Sequence, residues 1–358
     1  MRLFTRRAAV SFAMGLLLTQ LVTNGHADPG PAAETKDAAG GLAIQGAGST
    51  FAAPIIKQWM EAFGAAHPEL RLSYDAVGSG EGIDRFLAGT LDLAASDAPL
   101  KPAQAAGVAA GAQQIPITAG LIVLTYNLPG IESPLNMPRD VYPDIFLGRI
   151  SRWDDPRIAA ANPGVKLPHK LIQVVARQDS SGTTFAFTNH LGTISPDWVK
   201  GPGIGKQVDW PGGAMIARGN EGVAQRVKLT EGAIGYVEYG FAARLQLPMA
   251  WLENRAGGLI APGPETGARA LVGGSDSIPE NLTVLIPDPE GARSYPIVTY
   301  TWALVYDRYP QAAKAQAIRG LLRWSLTEGQ TQAQSLGYIP LPDNAVKAAL
   351  AAVETIGG

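Results

Sequence analysis

At 358 residues, with 29 basic and 31 acidic side chains and a net charge of −2, the chain has no surplus of positive charge with which to hold a polyanionic backbone, and nothing in it points to nucleic acid. There is no cysteine, so disulfides are excluded and a conventional hydrophobic core must hold the fold; the length is enough for about two domains.

The first 27 residues read as an export signal. Arg2, Arg6 and Arg7 give a positive start, Ala8 to Val22 is apolar but short and rich in small residues, and Gly25-His26-Ala27 offers a small-x-small cleavage site. Cleavage after Ala27 predicts an exported, soluble mature chain, and the paired arginines leave the general and twin-arginine export routes both open. No cysteine follows to accept a lipid. The 331 residues that remain (358 less 27) have lost three arginines and no acid, which takes the net charge to −5. An anionic ligand would therefore be held by local dipoles and one or two charges, not by a basic surface. Residues 28–43, opening with the run DPGPAAETKDAAGG, are expected to be a disordered linker.

From there strands, glycine turns and helices alternate, which predicts an α/β fold. LAIQ is a strand, GAGST a turn, and PIIKQWMEAFGAAH a helix with Ile56, Trp59, Met60 and Phe63 on one stripe. The unit recurs as LRLSYDAV, GSGEG and IDRFLAGTL, and a further strand ends at Asp97. Gln114 to Leu128 is almost wholly apolar, as a buried central strand should be. LIQVVARQ precedes the turn DSSGT, GAIGYVEYGFAARL runs from strand into helix, and Ser294 to Tyr306 is again apolar and β-branched. AAKAQAIRGLLRWSLT and NAVKAALAAVET close the chain as helices. If these pack back on the first third, the two long apolar strands cross between two domains, and the cleft between them is the natural ligand site.

Three turns share one chemistry: Gly46–Thr50, Gly78–Gly80 and Ser180–Thr183 each follow a strand and open a helix with glycine and hydroxyl residues. Such residues are ordinary helix caps. They also build an oxyanion site, because a helix start presents unpaired backbone N–H groups and the positive end of the helix dipole. With Asp97 and Arg177 at strand ends, three such turns favour the second reading. Enzyme signatures fail by comparison. Ser79 lacks the flanking glycines of a nucleophile elbow, Gly201–Gln207 has the wrong spacing for a phosphate-binding P-loop, and no HExxH occurs. His190 lies nine positions beyond Ser181, about 13 Å along a helix, too far to serve as its base; it is read as a packing or surface histidine, and His67 and His169 as solvent-facing. Tyr236 and Tyr239 are read as core.

GAGSTFAAP, ASDAPL, GRISRWDDPRIAAANPGVKLP, RQDSSGTTFAFTNHL, GNEGVAQRV and GAIGYVEY, in this order and spacing, resemble the phosphate-binding periplasmic protein family of the bacterial phosphate-specific ABC transporter. The resemblance runs from about Gln45 to the last helix. It implies a two-domain periplasmic binding protein fold of type II, each domain a mixed sheet flanked by helices, with the ligand in the interdomain cleft. Domain 1 would comprise residues 44–122 and 298–358, and domain 2 residues 123–297. It implies no enzyme activity, no catalytic residue, no metal and no cofactor. The partners would be inorganic phosphate and the membrane permease subunits of the transporter, with the protein itself a monomer.

Site residues follow from the matched motifs. Thr50 and Phe51 would donate backbone N–H groups, and Thr50 its hydroxyl. Ser79 would donate N–H and hydroxyl, Asp97 would accept from a protonated phosphate oxygen, and Arg177, held by Asp179, would pair with the anion. Ser181, Gly182 and Thr183 would supply the third helix start. Two positions depart from the pattern: Glu81 puts a carboxylate near the expected anion, and Trp302 replaces a smaller aromatic. Glu81 keeps open another tetrahedral oxyanion, arsenate or a phosphonate. An exported phosphatase using Ser181 or Thr183 is the remaining alternative, and it lacks a visible base.

Overall fold

The computed structural model describes residues 41–274 and 278–358. The expected signal peptide and nearly all of the expected linker lie outside the described residues; the first strand already starts at Leu42, inside the span assigned to the linker. Among the described residues eleven strands are formed in chain order: β1 Leu42–Gly48, β2 Leu70–Ala76, β3 Leu93–Ser96, β4 Ala112–Tyr126, β5 Asn136–Met137, β6 Gln173–Arg177, β7 Met215–Ala217, β8 Ala233–Glu238, β9 Trp251–Glu253, β10 Leu259–Ile260 and β11 Val298–Tyr306. Eight make one sheet in the order β2-β1-β3-β11-β4-β8-β6-β7, and β10-β9-β5 make a small second one.

The large sheet is built from two similar halves. β2, β1 and β3 are parallel, as are β7, β6 and β8, and in each set the first strand in sequence is central, the second outermost and the third innermost. Between the sets lie the long apolar strands β4 and β11, antiparallel to each other and to their outer neighbours β8 and β3. β4 changes partner along its length. It pairs with β11 from Ala112 to Leu121 and with β8 from Ile122 to Tyr126. It is buried continuously from Ile115 onward, which explains its unbroken apolar run. Pro116, which cannot donate to a ladder, is tolerated in this central strand because the β4–β11 register slips opposite it, between Thr301 and Trp302.

Helices cover the sheet where the 3.6-residue stripes predict. The Ala53–Ala66 helix buries Ile55, Ile56, Trp59, Met60 and Phe63, each worth about 1.5–3 kcal/mol when removed from water. The Trp59 indole donates to Gly329 O at 2.9 Å, tying this helix to the C-terminal segment. Helices Ala312–Leu326 and Asp343–Glu354 return to the first half, packing on the Ala53–Ala66 helix and on β1 and β4. The described chain therefore has a mixed α/β architecture, one large mixed sheet flanked by helices. Trp302 is buried, and its indole donates to Leu282 O at 2.9 Å, so the larger ring is absorbed by packing and one hydrogen bond. Among the described residues no helix is long and apolar enough to cross a membrane.

Candidate functional site

In each half of the sheet the central and outermost strands run into helices at their carboxyl ends. In the first half, β1 leads to the Ala53–Ala66 helix and β2 to the Ser79–Leu87 helix; in the second, β6 leads to Gly182–Ile194 and β7 to Gly219–Leu229. These four starts meet. Gly80 N donates to Ser180 O at 2.9 Å, joining the second helix start to the third, and Asn220 N donates to Thr50 Oγ1 at 3.2 Å, joining the fourth to the first. Two glycines permit the approach. Gly78 has φ 101°, and a Cβ there would lie 2.5 Å from Asp179 Oδ2; a Cβ on Gly182 would meet Ser79 Oγ and lie 2.7 Å from Asp97 Oδ2.

The junction has many donors. Among the described residues the backbone N–H groups of Thr50, Phe51, Ser79, Gly182 and Thr183 have no protein acceptor. Phe51, Ser79 and Thr183 are fully buried, and Gly182 is buried with them. A buried donor left unpaired costs about 1–3 kcal/mol, so five together call for a shared acceptor. Ser181 plays a different part at its helix start. Its N–H donates to Lys206 O at 2.9 Å and its Oγ caps the helix by accepting Thr184 N at 3.0 Å, which leaves its hydroxyl hydrogen to point elsewhere. The opening DSSGT turn is thus a cap and part of the donor cluster at once.

Among the described residues the one buried cation at the junction is Arg177. Its Nε and Nη2 are held by the two carboxylate oxygens of Asp179, the first at 2.9 Å, and Nη1 donates to Thr183 Oγ1 at 3.2 Å. Three of its five N–H groups are used, and two remain for a ligand. Burial acts to raise the Asp179 carboxyl, but the Arg177 hydrogen bonds and charge and the Gly219 N–H at 2.9 Å outweigh it, and it stays below the usual carboxylate range. Behind the arginine, Tyr236 accepts Arg177 N at 3.2 Å and bonds Thr184 Oγ1 at 2.7 Å. Tyr236 is core, as read, but core that also fixes the Arg177 backbone.

Facing these donors is one acceptor. Asp97, just past β3, is buried. Its Oδ1 accepts from Ser49 Oγ at 2.6 Å and Thr301 Oγ1 at 2.7 Å, while Oδ2 has only a long contact of 3.4 Å from Ser79 Oγ. Burial raises the carboxyl pKa to about 6, and the hydrogen bonds from Ser49 and Thr301 and the charge of Arg177 prevent a larger rise. Thr301 reaches Asp97 from the strand segment beside the β4–β11 register slip.

All nine residues named from sequence thus come together at one junction. Glu81 does not block it: its side chain is half exposed and bonds Arg85 Nε at 2.7 Å. It lies on the rim of a groove of about 810 Å3 that reaches Thr50, Asp179 and Gly219, where Lys57, Arg85, Arg218 and Arg244 offset the acids. His169 is exposed and paired with Asp154, whereas His67, paired with Glu69, is half-buried with its ring 4.1 Å from that of Phe63. His190 is fully buried between Tyr142 OH and Pro287 O, both 2.6 Å away, and burial lowers its pKa to about 4. Sequence reasoning missed the fourth helix start, Gly219-Asn220, although it has the same strand–glycine–helix form. It also missed Ser49 and Thr301 on Asp97, and Glu238, which ends β8 as Asp97 follows β3. Glu238 is buried, accepts Gly240 N at 2.8 Å, and has its pKa raised by burial to about 8.

Comparison with known proteins identifies the family. Residues 30–328 match the model of the PBP superfamily domain. A phosphate-binding protein PstS of Xylella fastidiosa is 37% identical over 330 residues, covering 92% of this chain and 89% of that protein. The PstS of Methanocaldococcus jannaschii is 38% identical over 337 residues, covering 88% and 86%. Among solved structures, a high-affinity periplasmic phosphate-binding protein with phosphate bound superposes with a TM-score of 0.72 at 20% identity, over 87% of this chain and 93% of that one. A phosphate-binding protein from Stenotrophomonas maltophilia gives 0.66 at 21% identity, over 87% and 93%. A shared architecture alone would leave the family open, but identity of this level along nearly the whole length does not: the chain belongs to the PstS family within the PBP superfamily.

Proposed function

We propose that the protein binds inorganic phosphate where the four helix starts meet and delivers it, in the periplasm, to the permease of an ABC-type transporter. The observation that carries this reading is the set of five buried, unpaired N–H groups opposite a single buried carboxylate. A tetrahedral anion that still holds one proton satisfies both: its bare oxygens take the N–H groups and the two spare Arg177 hydrogens, and its hydroxyl donates to Asp97 Oδ2. Thr50, Phe51, Ser79, Arg177, Ser181, Gly182 and Thr183 are the donors, Asp97 is the acceptor, and Asp179 holds the arginine. No bond is made or broken in this scheme, and His190, the one histidine near the third helix start, is committed to Tyr142 and Pro287. The names of the relatives, phosphate-binding proteins, support the same ligand.

We assign residues 44–122 and 298–358 to one lobe and 123–297 to the other. The support is the change of β4 partner between Leu121 and Ile122, opposite the start of β11. Closure then needs only a twist of two strands, and the Gly80–Ser180 and Asn220–Thr50 contacts form as the lobes meet. We take the working unit to be a monomer.

A thermal-shift panel of phosphate, arsenate, sulfate, molybdate and phosphonates tests the reading. A ligand at 100 times its dissociation constant adds about 2.7 kcal/mol of stability. Phosphate should stabilise strongly and sulfate little. Stabilisation by a phosphonate but not by phosphate would overturn the ligand assignment, and release of alcohol from a chromogenic phosphoester would overturn the non-enzymatic one.

A further inference from the structure

We propose that Asn220 is a positioning residue that fixes the hydroxyls of Thr50 and Thr183 as donors into the anion site. The inference rests on the phosphate reading and names a residue outside its ligand set. Asn220 is fully buried at the start of the Gly219–Leu229 helix. Its Oδ1 accepts Glu238 N at 2.9 Å, and because a backbone N–H can only donate, this bond sets which way the amide faces. Nδ2 therefore points to the threonines. It donates one hydrogen to Thr50 Oγ1 at 3.0 Å and the other to Thr183 Oγ1 at 3.1 Å.

A hydroxyl is normally ambivalent, with one hydrogen to give and two lone pairs to fill. Here both lone pairs are filled by groups that cannot accept. Thr50 Oγ1 takes Asn220 Nδ2 and Asn220 N; Thr183 Oγ1 takes Asn220 Nδ2 and Arg177 Nη1. Neither threonine can turn its hydrogen toward these partners, and among the described residues neither hydroxyl has an acceptor. Both hydrogens are left for the ligand. One threonine comes from the first half of the sheet and the other from the second, so a single amide aligns donors on both sides. It does this before the ligand arrives, so less ordering is needed on binding.

The test is a double-mutant cycle read by titration calorimetry with inorganic phosphate, with the melting temperature of each ligand-free variant recorded. Asn220→Ala is made in the natural chain and in the Thr50→Val/Thr183→Val background. In the natural chain it should weaken phosphate binding at least tenfold. Without the hydroxyls there is nothing left to align, and the same change should weaken binding less than twofold. An equal loss in both backgrounds would mean that Asn220 acts only through the fold, and would overturn the inference while leaving phosphate binding intact. So would full affinity in the Thr50→Val/Thr183→Val protein. If Asn220→Ala does not fold, Asn220→Asp replaces it in the same cycle: it keeps the acceptor for Glu238 N and the shape, but turns both hydrogens inward. The natural chain failing to bind phosphate would instead remove the functional reading on which the inference stands.

Discussion

Replacing Asp97 by asparagine asks whether one carboxylate decides which anion enters. Ser49 and Thr301 both donate to Oδ1, so the asparagine carbonyl oxygen must take that place, and the amide nitrogen is forced into the position of Oδ2, facing Ser79 and Gly182. The substitution therefore turns the one acceptor of the site into a further donor without changing its shape. Sulfate, which has no proton at neutral pH, meets like charge and no hydrogen bond at the natural carboxylate. Leaving such a buried charged group uncompensated costs about 2–5 kcal/mol. At 1.4 kcal/mol per tenfold, the phosphate-to-sulfate ratio of affinities should fall about 30- to 4,000-fold in Asp97→Asn, mostly through tighter sulfate binding. Titration calorimetry with both anions at pH 8, where the natural carboxylate is ionised, measures it. A ratio unchanged within threefold would refute the argument that selectivity comes from repulsion of the wrong anion.

Three further outcomes are expected. The pKa of Asp97 lies above its unfolded value, so its favourable contribution to stability is fully present below about pH 4 and is lost as the pH rises through about 6. The loss amounts to about 3 kcal/mol at pH 8. Ligand-free Asp97→Asn should therefore melt above the natural protein at pH 8, with the gap closing toward pH 4 in a calorimetric series; a gap independent of pH would refute it. Arg177→Lys keeps the charge but cannot hold Asp179, Thr183 and a ligand together, and phosphate affinity should fall about tenfold to a hundredfold by calorimetry. Gly182→Ala puts a methyl against Ser79 and Asp97, and the strain of about 1–3 kcal/mol should lower phosphate affinity at least fivefold with an unchanged circular dichroism spectrum; affinity within twofold of natural would show the helix starts to be less tightly joined than described.

Much of the site was legible because its physics is local. A glycine and a hydroxyl residue between an apolar strand and an amphipathic helix mark a donor-rich turn wherever they occur, and Thr50, Ser79 and Ser181 could be named on that ground. The long apolar runs around residues 121 and 298 announced the two central strands for the same reason, since burial on both faces leaves no polar alternation. What stayed hidden depends on the fold. Asn220 touches Thr50 across 170 positions of sequence, and a Gly-Asn pair before a helix looks like any cap until the two halves are brought together. Thr301 sits in a β-branched run where its hydroxyl has no visible purpose, and only its place beside the register slip at Pro116 brings it to Asp97. Glu238 ends an apolar strand, and nothing in its neighbours says that its carboxyl is buried.

The likeness of the two halves of the sheet carries a consequence for the guest itself. A cradle made of two matching arms would let a tetrahedral ion sit in several equivalent orientations. Here the third strand of each arm leads to a carboxyl, but Oδ2 of Asp97 lies against Ser79 and Gly182 at the junction, whereas burial raises the Glu238 carboxyl further, to about 8, and its Oε1 is engaged with Gly240. On the phosphate reading the hydroxyl of the bound ion is anchored to the Asp97 arm, which sets that oxygen apart from the other three.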